Sequence, residues 1–376
     1  MTSSPNSFIS FLKGNKMKKI ILTGGGTAGH VTPNIALLSD LKSDGYEISY
    51  IGSYSGMEKG LIEAEGIPYY GISSGKLRRY FSRKNFSDPF RVIHGYFQSV
   101  RLIKKIRPNV IFSKGGFVSV PVVLAAKHCH VPAVIHESDM TPGLANRIAM
   151  RGASRVLCNF QETVPLIKGD RAVWTGTPIR KALLHGDKKA ALSFTGFDKI
   201  QTKPVLLITG GSQGSAFINN AVRSSLPDLL PQFNIIHLCG KGNLDPELSA
   251  KEGYAQYEYI SKELPDLFAL ADLIISRAGA NAIFEILNLA KPNILIPLSL
   301  RASRGDQILN ARSFEKHGFS KVLEEEDVNK DTLAKAVFDV YKNRDEYISN
   351  MKKSPQSDAI PKIIKILDDA ALKTHK

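Results

Sequence analysis

The sequence predicts an α/β protein built from two doubly wound domains. Three observations carry this. Short apolar runs alternate with helical patterns along both halves of the chain. In each half a glycine-rich turn follows the opening run: Gly24-Gly25-Gly26-Thr27-Ala28-Gly29-His30, then Thr209-Gly210-Gly211-Ser212-Gln213-Gly214-Ser215. The 376 residues suffice for about two domains of this kind. A strand, a glycine turn and a helix in succession aim unpaired backbone N–H groups at an anion, and glycine lets the backbone come close. A phosphorylated ligand is the expected occupant.

Composition narrows the class. The apolar share of 43% is ordinary for a protein that buries real cores. No apolar run approaches the ~20 residues that a bilayer span needs. Residues 1–16 read as a disordered leader and a poor secretory signal, with Met17 as the expected true start. Cys129, Cys158 and Cys239 have neither disulfide nor zinc spacing and read as small apolar side chains in a reducing compartment. The net charge of +15 calls for an anionic partner: nucleic acid, lipid or a phosphorylated substrate.

In order, Lys18–Thr23 reads as the first strand and Val31–Leu41 as a helix with Pro33 in its first turn. Gly24, Gly26 and Gly29 fit the dinucleotide fingerprint. That fingerprint also wants an acid at the end of the second strand, which here closes on Gly52-Ser53. A nicotinamide or flavin cofactor is therefore disfavoured, and the ending of a P-loop is absent. Between Ile72 and Arg107 basic residues (Arg78, Arg79, Arg83, Lys84) mix with aromatics (Tyr80, Phe81, Phe86), against one acid, Asp88. The mixture suits the headgroup layer of an anionic membrane better than nucleic acid; the plain alternative is a solvated helix with its aromatics turned to the core. Strands at Asn109–Phe112 and Pro132–Ile135 lead into Lys114-Gly115-Gly116 and His136-Glu137-Ser138-Asp139, at the carboxyl edge where open α/β sheets bind ligands. Ser154–Cys158 and Ala172–Trp174 close the set, Arg180 follows, and Gly186–Lys203 reads as a polar linker.

The second half repeats the plan with strands at Val205–Ile208, Ile235–Leu238, Tyr257–Ile260, Leu273–Ile275 and Ile294–Ile296. Arg277-Ala278-Gly279-Ala280 forms another strand-to-helix turn. Pro297–Gln307 is a polar loop, and Ala359–Leu372 an amphipathic helix.

These loops together resemble those of the MurG family, the N-acetylglucosaminyltransferases of peptidoglycan synthesis, from about Met17 to the C-terminus. The resemblance implies a GT-B fold, two Rossmann-like domains facing a cleft. It divides the chain into residues 17–182 (acceptor and membrane), 183–355 (UDP-sugar donor) and 356–376, a helix crossing back to the first domain. It implies UDP-N-acetylglucosamine as donor and lipid I, undecaprenyl-diphospho-N-acetylmuramoyl-pentapeptide, as acceptor. Transfer inverts the sugar carbon and gives lipid II at the cytoplasmic face of the membrane, on a peripheral protein. No cofactor, no metal and no nucleic acid are expected; other cell-wall synthesis proteins are further partners it leaves room for.

By position, the resemblance assigns the diphosphate to Ser212, Gln213 and Arg180, uracil to the backbone of Ile260, and ribose to Glu285. Gln307 and Ala280 meet the sugar, and Thr27, Ala28 and Gly29 reach over from the first domain. Asp139 and Asp306 stand where some members carry asparagine and glutamine, and Ala28 where glycine is common. His30 is the first candidate for general base, since histidine titrates near neutrality, and Glu137 the second. A diacylglycerol glucosyltransferase, a UDP-sugar epimerase or a non-catalytic nucleotide-sugar binder would share the donor loops.

Overall fold

The computed structural model describes residues 17–75, 84–200, 202–211, 214–355 and 359–372; the side chains of 84–87 are not described. The described strands make two sheets. The first orders β3 (Tyr69–Ile72), β2 (Tyr46–Ser53), β1 (Lys18–Thr23), β4 (Val110–Ser113), β5 (Ala133–Glu137), β6 (Arg155–Cys158) and β7 (Ala172–Trp174). The second orders β10 (Tyr254–Tyr257), β9 (Asn234–Leu238), β8 (Val205–Thr209), β11 (Leu273–Ser276), β12 (Asn293–Leu295) and β13 (Lys321–Val322). The strand β1 pairs in parallel with β2 and β4, and β8 with β9 and β11. Each sheet therefore reverses its winding beside its first strand, the place where such sheets open a crevice for ligands.

The sequence dictates this layering. Ile20, Ile21 and Leu22 of β1 are all fully buried, as a strand covered on both faces requires. In the second sheet the faces separate by alternation: Val205 and Leu207 join one core, Leu206 and Ile208 the other. Each such side chain contributes about 1.5–3 kcal/mol by leaving water.

Helices fill the connections: α1 (Thr32–Ser43), α2 (Met57–Ala64), α3 (Lys84–Ile106), α4 (Ser119–His128), α5 (Leu144–Ala149), α6 (Lys188–Thr195) and α7 (Ala216–Leu229). Then come α8 (Leu264–Leu270), α9 (Ala280–Asn288), α10 (Asp306–Lys316), α11 (Lys330–Lys342), α12 (Arg344–Lys352) and α13 (Ala359–Leu372). By compactness the chain falls into two units. One gathers residues up to Ile135, Ala145–Val156 and the chain from Ile363; the other gathers His136–Leu144 and Leu157–Lys362.

Two expectations need correction. The strand expected at Tyr257–Ile260 lies at Tyr254–Tyr257, because Gly253 (φ 76°) ends the preceding turn early and Tyr254 is the residue that enters the core. Ile260 is in the loop beyond. The polar stretch at 186–203 is not a plain linker. Asp187 caps α6 by accepting from the Lys189 amide (2.8 Å), Gly196 ends it in the left-handed region, and Ala191 and Phe197 are buried. Strand β1 begins at Lys18, as the sequence reads it, with Met17 exposed before it.

The last helix joins the first unit through polar contacts as well as its buried Ile363 and Leu367. Asp368 accepts from Lys18 Nζ and from the Tyr46 hydroxyl, each at 2.7 Å. Burial pushes the Asp368 carboxyl up, but these partners outweigh it and hold its pKa below the ordinary 3.8. A depressed carboxylate stabilises the fold above its unfolded pKa and loses that contribution as pH falls through the folded value. Asp368→Asn is expected to cost α13 about 1–2 kcal/mol of local stability at pH 7, a difference that closes below pH ~4. Hydrogen exchange of the α13 amides measures it; equal protection at neutral pH would show that the contact contributes nothing.

Candidate active site

Both glycine loops leave the strand beside the winding reversal, and each meets the loop that follows the neighbouring strand. After β1, residues 24–27 lead into a 3-10 turn, Ala28–His30, and then α1. After β4 come Lys114, Gly115 and Gly116. Gly116 has φ 83°, and a Cβ there would stand 2.2 Å from the Gly25 carbonyl oxygen. Two backbones touch at this point, so no other residue fits. His30 Nδ1 lies 3.0 Å from the Lys114 carbonyl oxygen. A carbonyl only accepts, so Nδ1 carries the proton and the lone pair of the neutral ring is on Nε2. Thr27 is exposed and Ala28, Gly29 and His30 are half-buried. Among the described non-glycine residues the left-handed angles fall at Arg107, His130 and Ala290, so Ala28 keeps an ordinary angle in place of glycine.

The acid that the dinucleotide fingerprint asks for is not at the end of β2. A carboxylate reaches the loop all the same. Glu58, fully buried in the first turn of α2, accepts from the Gly26 amide at 3.3 Å and from Ser53 N at 3.0 Å. A Cβ at Gly25 would meet its carboxyl carbon at 2.6 Å. One amide of this loop, that of Gly26, is thus taken by a side chain of the protein itself. Nothing local in the sequence marks Glu58 as the partner, since it lies 32 residues beyond Gly26.

In the second unit, β8 delivers Gly210 and Gly211; Ser212 and Gln213 lie outside the described residues. Gly214 has φ 74°, and a Cβ there would stand 2.1 Å from the Cys239 carbonyl oxygen. Ser215 caps α7, its hydroxyl accepting from Ile218 N at 3.3 Å. Ile218 N and Asn219 N both bond back to Ser215, and the start of this long helix is a terminus of the kind that binds anions.

Arg277, at the end of β11, binds this construction together. Its buried guanidinium donates to Ser215 Oγ (2.7 Å), Glu325 Oε1 (2.6 Å) and the carbonyls of Ile296 and Pro297. Burial alone would raise the Glu325 pKa, but the bonds from Arg277 and Ser299 bring it below its ordinary value. Sequence reading took the turn that holds Arg277 as a motif and missed the arginine's own part. Its only signal was a cation placed immediately after an apolar strand.

The remaining candidates fall in the same unit. Ala280 opens α9, and Glu285 lies further along it, where its Oε1 accepts from Arg180 Nη2 at 3.1 Å and Nε at 3.3 Å. Burial raises the Glu285 pKa; the Arg180 charge opposes the rise. Ile260 is half-buried against the core beside α8 and α9. Asp306 opens α10, and the next residue, Gln307, accepts from Leu298 N at 3.2 Å. Glu137 is buried at the end of β5, with Oε1 accepting from Asp139 N (3.0 Å) and Oε2 from Gly143 N (3.1 Å). His136 Nε2 donates to the Gly176 carbonyl at 3.0 Å, a brace at the sheet edge. Asp139 pairs with Arg304 at 3.1 Å. Among the described residues no group of three or more His, Cys, Asp or Glu is placed to hold a metal ion.

Of the basic and aromatic stretch, Arg78, Arg79, Tyr80, Phe81 and Arg83 lie outside the described residues. Lys84 and Phe86 are in the first turn of α3, their side chains not described. The rest of α3 is amphipathic in an unusual sense. Gly95, Ser99 and Ile103 are buried, while Phe90, Ile93 and Phe97 are 75%, 54% and 64% exposed, with Arg91 and Arg101 exposed on the same helix. Those two phenylalanines do not face the core. No described helix is long and apolar enough to cross a membrane.

Comparison with known proteins gives these loops a context. The profile described as the glycosyltransferase family 28 N-terminal domain matches residues 20–158, and that of its C-terminal domain residues 205–367. A protein of Lachnospira eligens is 63% identical over 353 residues, 94% of this chain and 99% of that protein. It is named UDP-N-acetylglucosamine–N-acetylmuramyl-(pentapeptide) pyrophosphoryl-undecaprenol N-acetylglucosamine transferase. A protein of Lachnoclostridium phytofermentans with the same name is 60% identical, over 95% of this chain and all of that protein. Crystallographic MurG of Acinetobacter baumannii superposes with a TM-score of 0.74 at 24% identity, over 94% of this chain and 99% of that one. A putative UDP-N-acetylglucosamine 2-epimerase of Listeria monocytogenes reaches 0.69 at 13% identity, over 95% and 96%. The two structures show a shared α/β fold of the GT-B kind.

Proposed function

The chain belongs to glycosyltransferase family 28, and from that premise we propose that it transfers N-acetylglucosamine from UDP-N-acetylglucosamine to lipid I with inversion, giving lipid II. The observation that carries the reading is the 57–63% identity, over nearly the whole chain, to proteins named for this transfer. The helix start that follows the second glycine loop, a terminus of the kind that binds anions, supports it.

Inversion is a single displacement through an oxocarbenium-like state. The acceptor hydroxyl attacks while the UDP diphosphate leaves and gathers negative charge. The first amides of α7, Ser212 and Gln213 meet that charge, with Arg180 beside them. Glu285 holds the ribose, the Ile260 backbone the uracil, and Gln307, Ala280, Asp139 and Asp306 the sugar. His30 Nε2 takes the hydroxyl proton, and Thr27, Ala28 and Gly29 reach the donor from the first glycine loop. Turnover of UDP-N-acetylglucosamine with lipid I, and none with diacylglycerol, is the test; release of UDP without an acceptor would instead favour an epimerase-like reading.

The acceptor is a lipid, and the excess positive charge is used at the membrane. Phe90, Ile93 and Phe97 supply apolar contact, with the basic run Arg78–Lys84 as the electrostatic part. Each basic residue near an anionic surface contributes about 1 kcal/mol, and the attraction fades over a Debye length of ~8–10 Å. Changing Arg78, Arg79, Arg83 and Lys84 to serine is expected to abolish binding to anionic vesicles and to slow turnover on embedded lipid I. UDP binding and turnover of a short-chain acceptor stay normal. Vesicle sedimentation at low salt checks this; unchanged binding would remove the stretch from the membrane contact.

A further inference from the structure

Arg304 belongs to none of the groups that a nucleotide sugar needs, yet it is shared by two carboxylates. Nη2 lies 3.1 Å from Asp139 Oδ2, and Nε 3.1 Å from Asp306 Oδ2. A Cβ added to Gly143 would stand 3.0 Å from its Nη1, so the guanidinium also lies against the far end of the 137–143 loop. Asn310, fully buried on the second turn of α10, completes the clasp. Its Oδ1 accepts from Met140 N at 2.9 Å, and its Nδ2 donates to Asp139 Oδ1 at 3.1 Å and to the Ala278 carbonyl at 3.3 Å. Glu137 holds the same loop from inside through the Asp139 and Gly143 amides.

The charges explain why an arginine is needed. Two acids stand at 139 and 306, where the family resemblance also allows asparagine and glutamine. Left alone, they would put two negative charges beside groups meant to receive a diphosphate sugar. A planar guanidinium can bond both at once, which lysine cannot do in the same geometry.

We propose that Arg304 is a positioning residue for the transfer: it neutralises Asp139 and Asp306 together and thereby fixes the Glu137–Gly143 loop against α10. This rests on the transfer reading above for its kinetic consequence, but not for its structural one. Arg304→Gln leaves both acids uncompensated. The donor KM rises roughly tenfold or more, most at low salt, where repulsion of the diphosphate is least screened. Arg304→Gln combined with Asp139→Asn recovers much of the loss, because one repelling charge is gone and the amides can still pair. Arg304→Lys, which keeps the charge and not the fork, falls between.

The decisive pair of measurements is steady-state kinetics with a short-chain acceptor and hydrogen exchange of the ligand-free, full-length protein. In Arg304→Gln the amides of Asp139, Met140 and Gly143 are expected to lose about tenfold or more in protection, with overall melting little changed. Unchanged protection at these amides overturns the proposal, whether or not the protein turns over substrate. If the wild type is active, a donor KM that does not move, or a loss that Asp139→Asn leaves unrepaired, also overturns it. An inactive wild type with lowered loop protection in the variant would fault the transfer reading and leave the positioning role supported.

Discussion

His30→Ala is expected to lower kcat by roughly 10²–10⁴ while UDP binding stays nearly intact. The structure gives this expectation a specific form. The bond from Nδ1 to the Lys114 carbonyl selects the tautomer with its lone pair on Nε2, the form that a general base needs. Lys114 is itself tied to the first strand, its N–H donating to the Thr23 carbonyl at 2.9 Å, so the ring has a rigid support. Glu137, the other candidate, is differently placed. Both its oxygens accept loop amides and it is almost wholly buried, which suits a carboxylate that shapes a loop. Glu137→Gln should therefore disturb KM and loop protection together, whereas His30→Ala should act on kcat alone. Pre-steady-state transfer to a soluble acceptor, beside UDP titration calorimetry, separates them. A His30 variant that keeps its chemical step would move the base elsewhere, with Glu137 next to be tested.

Much of the fold was legible because its signals are local. β1, β4, β8 and β11 are short apolar runs covered on both faces, and each ends in a glycine or polar turn that composition marks clearly. The same holds for α13, which its stripe of isoleucine and leucine marks as a helix over Ala359–Leu372. Shorter elements escaped. β13 has two residues, and β3 is a half-buried Tyr-Tyr-Gly-Ile segment with no alternation to read. α6 was hidden because its buried face needs only Ala191 of its own, with Phe197 just beyond its end.

The site was legible in part, for a related reason. Glycine loops announce themselves in sequence because few residues can replace glycine where two backbones meet. The partners that discipline those loops do not. Glu58 lies 32 residues beyond Gly26, Arg277 lies 62 beyond Ser215, and Arg304 lies 165 beyond Asp139. Each is a charged residue that, alone, reads as solvated surface. Only the folded chain shows that it closes a bond network around a turn.

Arg180→Gln is the second large effect, and it has two readouts of different origin. In the proposed transfer Arg180 stands beside the departing diphosphate; its loss would remove one donor to a developing anion, so kcat should fall roughly 10²–10³. Its removal also strips Glu285 of its partner. The pair is partly shielded, with the Glu285 side chain 15% and that of Arg180 33% exposed, so the loss in stability should lie between surface and buried pairs, about 2 kcal/mol. The sign with pH follows from Glu285. Burial already raises its folded pKa above the ordinary 4.5, and the Arg180 charge restrains that rise. A carboxyl with a raised folded pKa is protonated more in the folded than in the unfolded state, so it lowers stability as pH climbs from 4.5 through the folded value. Without the arginine the folded value moves further up, and the variant's deficit should widen as pH climbs from the wild type's folded value to the variant's higher one, then level off. Glu285→Gln added to Arg180→Gln removes the buried charge and should recover the stability, but not kcat, since the diphosphate still lacks its cation. Melting curves of the three proteins across pH 5–8, read beside their kcat values, check both halves. A deficit that stays flat with pH would show that Glu285 does not feel Arg180 as the 3.1 Å contact implies, and a double variant with restored kcat would remove Arg180 from the diphosphate.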